Sequence, residues 1–316
     1  IVGLSVFAVF VTLGGMKVIG YTDVIQVIVL IIGGLVTTYL AISLLSEHYG
    51  YGGNILKGLM VLKREAPTHF HMIFDKSNKY YPELPGLSVL IGGMMINNLA
   101  YWGCNQYIVQ RALGADLKTA RKGILFAAFL KLLIPIIAVL PGIAMYVLYR
   151  DGMFQTEMTD AAGILKPDHA YPTLMNLLPA GLKGVALAAL TAAIVASLAG
   201  KANSISTIFS LDIYKKYFAK EASEQKLVNM GRWVVICAMC ISVIFTWDDI
   251  LGIGGAGGFT FIQKYTGFIS PGVLVVFVLG MFWKRTTGTA AVLAVNAFPY
   301  VYLAVVEEIK NPNSAP

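Results

Sequence analysis

The sequence predicts an all-α, polytopic membrane protein. Hydrophobic residues make up 57% of the chain and charged residues only 13%, whereas a soluble domain carries roughly 25% charge. Mean hydropathy is +0.71. Several apolar runs exceed the roughly 18 residues a helix needs to cross a bilayer. A soluble helical core is excluded, because so many apolar runs would leave it no polar surface.

Eight spans are read, at 1–16, 23–46, 86–109, 121–149, 182–213, 227–246, 249–282 and 287–307. The connection 110–120 and its flanks carry Arg111, Lys118, Arg121 and Lys122 against Asp116. The connection 214–226 carries Lys215, Lys216, Lys220 and Lys226, and Lys284 and Arg285 fill the turn after the seventh span. Positive charge gathers on the cytoplasmic side of membrane proteins, so these three connections face inward. Loops 47–85 and 150–181 then face outward, the second holding Asp151, Glu157, Asp160 and Asp168. Gly50 to Gly53 and Pro82 to Pro85 mark turns in the first outer loop, with a short amphipathic helix expected at 54–63. The net charge of +7 is accounted for by the inner loops. No basic helix with interleaved aromatics is present, which excludes nucleic acid as a partner and leaves membrane lipid.

The second span opens at Asp23, read as an acid at the cytoplasmic side. The third span is interrupted by polarity: Asn97, Asn98, Tyr101, Trp102, Asn105 and Gln106 stand where a lipid-facing helix needs Leu or Val. Polar groups at membrane depth are costly and mark pathways or binding sites. Asn98, Tyr101 and Trp102 are spaced i, i+3 and i+4, which sets an amide beside aromatic faces. That arrangement suits a sugar, whose hydroxyls meet the amide and whose apolar face lies on a ring. Polar helix–helix packing accounts for it equally well. Lys131 lies in the apolar run from Phe126 to Leu140. It reads as buried and in need of a partner, either a substrate or another polar helix residue.

The fifth span carries Ser197, Lys201, Asn203, Ser204, Ser206 and Thr207 among small residues. Small residues allow close helix packing, yet a backbone carbonyl with a serine hydroxyl is also reasonable chemistry for Na⁺. Cys237 and Cys240 form C-x-x-C within an apolar run, without neighbouring His or charge; they and Cys104 read as structural. The four histidines fall in inter-helix loops. Gly252 to Gly257 fits G-x-G-x-x-G, but it opens a membrane span and lacks the strand that a dinucleotide site requires. Phe259 and Gln263 follow, one turn apart, as a lid above a hydrogen-bonding amide or as ordinary packing. No nucleophile–base pair or metal set appears, so an enzyme is not expected.

These residues carry a pattern. Asn98-Leu-Ala-Tyr-Trp-Gly-Cys-Asn-Gln-Tyr-Ile-Val-Gln-Arg111 resembles the sodium/solute symporter family, close to its bacterial sodium/galactose (sodium/glucose-type) cotransporters. Phe126 to Leu132, Asn203 to Phe209, Leu211 to Tyr214 and Phe261 to Gly267 resemble it in the same order, and Gly20 to Gln26 more loosely. The resemblance implies a LeuT-like inverted-repeat transporter with substrate near the midplane beside discontinuous helices. It implies a single transmembrane transporter domain over 1–316. Within it, 1–46 would be the last two helices of repeat one, 86–282 the whole of repeat two, and 287–307 an extra helix. The chain opens at Ile1 inside an apolar run, which with the resemblance predicts an N-terminally truncated chain whose upstream helices are absent.

By resemblance, Asn98, Lys131 and Gln263 match sugar hydrogen-bonding positions. Tyr101 matches a stacking inner-gate aromatic with Trp102 beside it, and Phe259 an outer gate. Ala193, through its carbonyl, and Ser197 match Na⁺ ligands, and Asp23 an acid on the ion path. The family's sugar members carry two adjacent serines at the ion site, and here the first position is Ala196. Lys201, one turn beyond Ser197, either stands in for the cation or points into the inner vestibule. The expected function is Na⁺-coupled sugar symport across the bacterial inner membrane, with Na⁺ as coupling ion. The alternatives are Na⁺-coupled transport of a carboxylate, inositol or amino acid on the same fold, or a non-transporting sensor or channel module.

Overall fold

The computed structural model describes residues 2–71, 73–78, 81, 87, 89–247 and 258–297. These are helical almost throughout: α1 (Val2–Leu13), α2 (Gly15–His48), α3 (Ile55–Glu65), α4 (Met95–Cys104), α5 (Gln106–Leu113), α6 (Leu117–Lys131), α7 (Leu140–Arg150), α8 (Ala170–Asn176), α9 (Ala180–Ile208), α10 (Glu224–Thr246), α11 (Gly258–Phe282) and α12 (Gly288–Ala297). Short π-helical stretches lead into α4 and α7 and continue α9 as far as Phe218. Among the described residues the sole β pairing is one antiparallel bridge, Thr159 to Leu165.

Four helical stretches are long and apolar enough to cross a membrane: Lys17–His48, Leu117–Arg150, Ala180–Phe218 and Glu224–Thr246. They correspond to the second, fourth, fifth and sixth spans read from sequence. α1, the C-terminal part of α11 and α12 are apolar but shorter. The third span departs from expectation. Asn105 adopts extended backbone (φ −80°, ψ 121°) and ends α4, so 86–109 is not one continuous helix. Gly15 takes φ +81°, a conformation a side chain would resist, and lets α2 start eight residues before Asp23. Asp23 therefore sits within α2 rather than opening it. The glycine motif 252–257 lies outside the described residues.

Helix starts follow local chemistry. Asn54, Asp116 and Ser223 accept the backbone N–H three residues on, at the heads of α3, α6 and α10, which satisfies an amide the helix itself leaves unpaired. The expected helix at 54–63 is thus α3.

The chain divides into two compact units, residues 1–70 with 111–254, and residues 71–110 with 255–316. In the first, α2, α3, α7 and α8 bury one apolar cluster around Leu45, Leu62, Met145, Leu148 and Leu174. α1, α9 and α10 bury another around Ala8, Val195, Ala202, Val235 and Met239. Contacts here are close. A Cβ on Gly58 would fall 2.6 Å from the Ile42 carbonyl oxygen, and one on Gly34 2.8 Å from Ile137 Cβ. The open face of α10 carries Cys237 and Cys240, exposed rather than buried; a thiol behaves as a small hydrophobe and suits an apolar surrounding. Cys104 is half-buried.

A polar knot fastens the C-terminal ends of α2, α3 and α7. Arg150 donates to Glu65 Oε2 (2.9 Å) and to the Glu65 carbonyl (2.8 Å), and Tyr49 donates to Asp151 Oδ2 (2.6 Å). His48, the last residue of α2, lies 3.5 Å from Asp151. Hydrogen bonds from Arg64 and Arg150 hold the Glu65 carboxyl below its ordinary range. Desolvation, reinforced by Asp151, pushes the Tyr49 phenol up to about 12, so it remains a donor at neutral pH.

Candidate functional site

The second unit holds the polar interruption. α4 packs along α11, and Ser270 Oγ donates to Asn97 Oδ1 at 3.0 Å across the contact. Ser270 is only 9% exposed, so this bond satisfies two polar groups that apolar surroundings would otherwise penalise. Beside it is a cavity of about 300 Å³, lined by Ala100, Tyr101, Asn105, Thr266, Ile269, Ser270 and Val273. Tyr101 is 39% exposed, and its ring meets Trp102 edge to face, 5.8 Å between centroids. Thr266 donates to the Ile262 carbonyl in its own helix.

Each amide of the interruption acts differently. Asn97 locks α4 to α11. Asn98 Nδ2 donates back to the Met94 carbonyl at 2.8 Å, so one donor is used within its own helix. Asn105 breaks the helix, and its Oδ1 accepts the Tyr107 N–H at 3.0 Å. A short polar side chain that replaces a backbone partner is the usual means of such a break. The break puts Tyr101 one turn from a helix end at the cavity wall. Phe259 and Gln263 lie on α11, with side chains outside the described residues; positions 263, 266 and 270 share one helix face by spacing. That spacing was the available signal for Thr266 and Ser270, which the sequence reading did not single out.

In the first unit, Ala193 and Ser197 lie one turn apart on α9, both partly buried. α9 is unbroken from Ala180 to Ile208, so a carbonyl and the hydroxyl four residues on share one face. In such a helix the Ala193 carbonyl accepts the Ser197 N–H, with the Ser197 hydroxyl on the same face. Ala196, 2% exposed, is buried and supplies no side-chain oxygen. Lys201 is exposed. Asp23 is ion-paired with Arg111, Nη2 to Oδ2 at 2.8 Å. The sequence pointed to Asp23 but not to its partner, because no periodicity relates residues on separate helices.

Lys131 is exposed, not buried as expected. It is the last residue of α6, but after a two-residue turn the chain is helical again at Ile134, and the stretch from Leu117 to Arg150 runs on. An apolar run marks a span without telling which face a residue takes, and Lys131 stands on an exposed face of this one.

The model of the sodium:solute symporter family matches residues 1–296. The sodium/glucose cotransporter of Vibrio parahaemolyticus is 47% identical over 304 residues, 94% of this chain and 55% of that protein. The human sodium/myo-inositol cotransporter 2 is 33% identical over 307 residues, 92% of this chain and 44% of that protein. The chain thus spans about half the length of the curated relatives it matches. A solved structure of a Na⁺-coupled sialic acid symporter superposes with a TM-score of 0.72 at 23% identity, over 95% of this chain and 59% of that one. It shares the fold, the LeuT-like arrangement expected from sequence. A whole-length family match and a relative at nearly half identity leave one conclusion: this chain belongs to the sodium:solute symporter family.

Proposed function

We propose that this chain works in Na⁺-coupled symport of a sugar of the galactose or glucose kind, across a bacterial inner membrane, by alternating access. The observation that carries the reading is the polar-edged cavity beside Tyr101 in an otherwise apolar helix pair. Sugars have many hydroxyls and apolar ring faces, and the cavity joins an aromatic to Asn105, Thr266 and Ser270. Asn98, Gln263 and Lys131 are assigned to sugar hydroxyls. Tyr101 and Trp102 close the inner side and Phe259 the outer side. The Ala193 carbonyl and the Ser197 hydroxyl hold Na⁺, and Asp23, restrained by Arg111, lies on the ion path. Residues 1–46 would close repeat one, 86–282 form repeat two, and 287–307 add a helix. Ion and sugar each stabilise the occupied state, and the coupling is reciprocal. Inward movement of one charge supplies about 2.3 kcal/mol per 100 mV.

The test is uptake of labelled galactose into proteoliposomes. Uptake should collapse when choline replaces Na⁺; undiminished uptake overturns the reading. A second reading, transport of inositol, draws on the human relative's name, and its ring offers similar hydroxyls. Competition by myo-inositol stronger than by galactose or glucose would favour it.

A further inference from the structure

A second polar cavity, of about 370 Å³, lies in the first unit. It is bounded by the end of α1, the C-terminal part of α9 with its π-helical continuation, and the start of α10. None of the residues assigned above lines it. Its polar lining includes Asn203, Ser206, Thr207, Ser210 and Arg232. Arg232 is the one charged residue in that lining and makes no ion pair with a described residue.

Ser210 is the more telling group. It is 5% exposed, and its Oγ has no hydrogen-bond partner among the described residues. Buried hydroxyls are nearly always satisfied, and leaving one unmade costs free energy. Thr207 and Thr12 meet this requirement locally, donating to the Asn203 and Ala8 carbonyls. Ser210 does not. Gly231 faces the same hydroxyls. A Cβ there would stand 2.5 Å from Ser206 Oγ and 3.4 Å from Ser210 Oγ, so the glycine keeps that space open.

The charge decides the ligand class. No carboxylate lines the cavity, so a cation would meet Arg232 with nothing to offset it. A guanidinium fork beside hydroxyl donors matches a tetrahedral oxyanion. The end of that π-helical continuation and the connection after it carry Lys215, Lys216 and Lys220, a charge pattern expected on the cytoplasmic side, where anionic headgroups and free phosphate are both available. We propose that this cavity binds a phosphate-type oxyanion, with Arg232 carrying the charge and Ser206 and Ser210 donating to its oxygens.

The experiment uses the protein in nanodiscs, in two arms. In phosphatidylcholine nanodiscs, binding of ³²P-orthophosphate is titrated. In nanodiscs of phosphatidylcholine with phosphatidylglycerol, native mass spectrometry counts the phosphatidylglycerol retained on release. Saturable binding in the first arm identifies a free anion; selective retention in the second identifies a lipid headgroup. In either arm Arg232→Gln should lower binding about tenfold and Ser210→Ala about threefold, for loss of a charged and a neutral hydrogen bond respectively. Arg285→Gln, outside the cavity, should leave it unchanged. Absence of binding in both arms, or binding that survives Arg232→Gln, overturns the proposal. If thermal unfolding shows Arg232→Gln to be misfolded, unchanged binding by Ser210→Ala overturns it instead.

Discussion

Two helix contacts in this chain meet the same need by different means. Along α9, Ala196, Ala199, Gly200 and Ala202 are buried, and α1 and α2 press close because little side chain intervenes. Thr12 there bonds to backbone, to the Ala8 and Ala199 carbonyls. Between α4 and α11, side chains meet side chains, Ser270 to Asn97, and a cavity remains beside them. The first contact is filled and the second leaves space for a guest. On the proposed function, the open contact would give a solute room and the filled one would give the ion a stiff support.

Four experiments would break or sharpen this contrast. The largest effect is expected at the filled contact. Ala199 is fully buried, and Ala199→Leu should cost about 1–3 kcal/mol through overpacking, read as a lower melting temperature of the detergent-solubilised protein. At the open contact, Tyr101→Ala should weaken apparent solute affinity about tenfold, as loss of an aromatic contact worth about 1.4 kcal/mol. Its melting temperature should barely move, and Tyr101→Phe should keep most of the affinity. A fall in stability equal to that of Ala199→Leu would erase the distinction between the two contacts.

A smaller effect concerns the bond across α4 and α11. A double-mutant cycle of Ser270→Ala with Asn97→Ala should give a coupling of about 0.6–1 kcal/mol, in the range of interhelical hydrogen bonds in membranes. Additivity within error would mean that the bond contributes nothing. The smallest effect is the pH response of the polar knot at the C-terminal ends of α2, α3 and α7. The Glu65 carboxyl titrates below its ordinary value because Arg64 and Arg150 donate to it. A depressed pKa gives stability that is present above the unfolded value and lost as pH falls through the folded one. Protection factors of the α3 amides, which are referred to intrinsic exchange at each pH, should therefore fall on acidification below pH 4.5, Glu65's ordinary value, and Glu65→Gln should flatten that response.

Much of the fold was legible because apolar length alone specifies a spanning helix. The spans of α6 with α7, α9 and α10 were readable within a few residues, as was the end of α2, whereas α2 starts eight residues earlier than read. The break at Asn105 was not, since an amide in an apolar run serves equally as glue, ligand or helix end, and only the backbone decides. Asn97 and Asn98 are adjacent in sequence, yet one bonds across to α11 and the other back to its own helix. Lys131 was misread as buried because an apolar run marks a span without telling which face of it a residue takes. Asp23 was readable as a charge out of place, but its pairing with Arg111 depends on tertiary structure.

That pairing also bears on how the protein is made. Asp23 leaves the ribosome about ninety residues before Arg111, which at ordinary synthesis rates is roughly 5–18 s. α2 must therefore enter the bilayer carrying an acid whose eventual partner does not yet exist. Asp23 lies nine residues into α2, toward its N-terminal end, where an acid costs less on insertion than the roughly 3 kcal/mol it costs at a helix centre, and the Ile, Val and Leu that follow it in α2 offset that cost. It follows that Arg111→Gln should leave insertion intact while altering the finished protein.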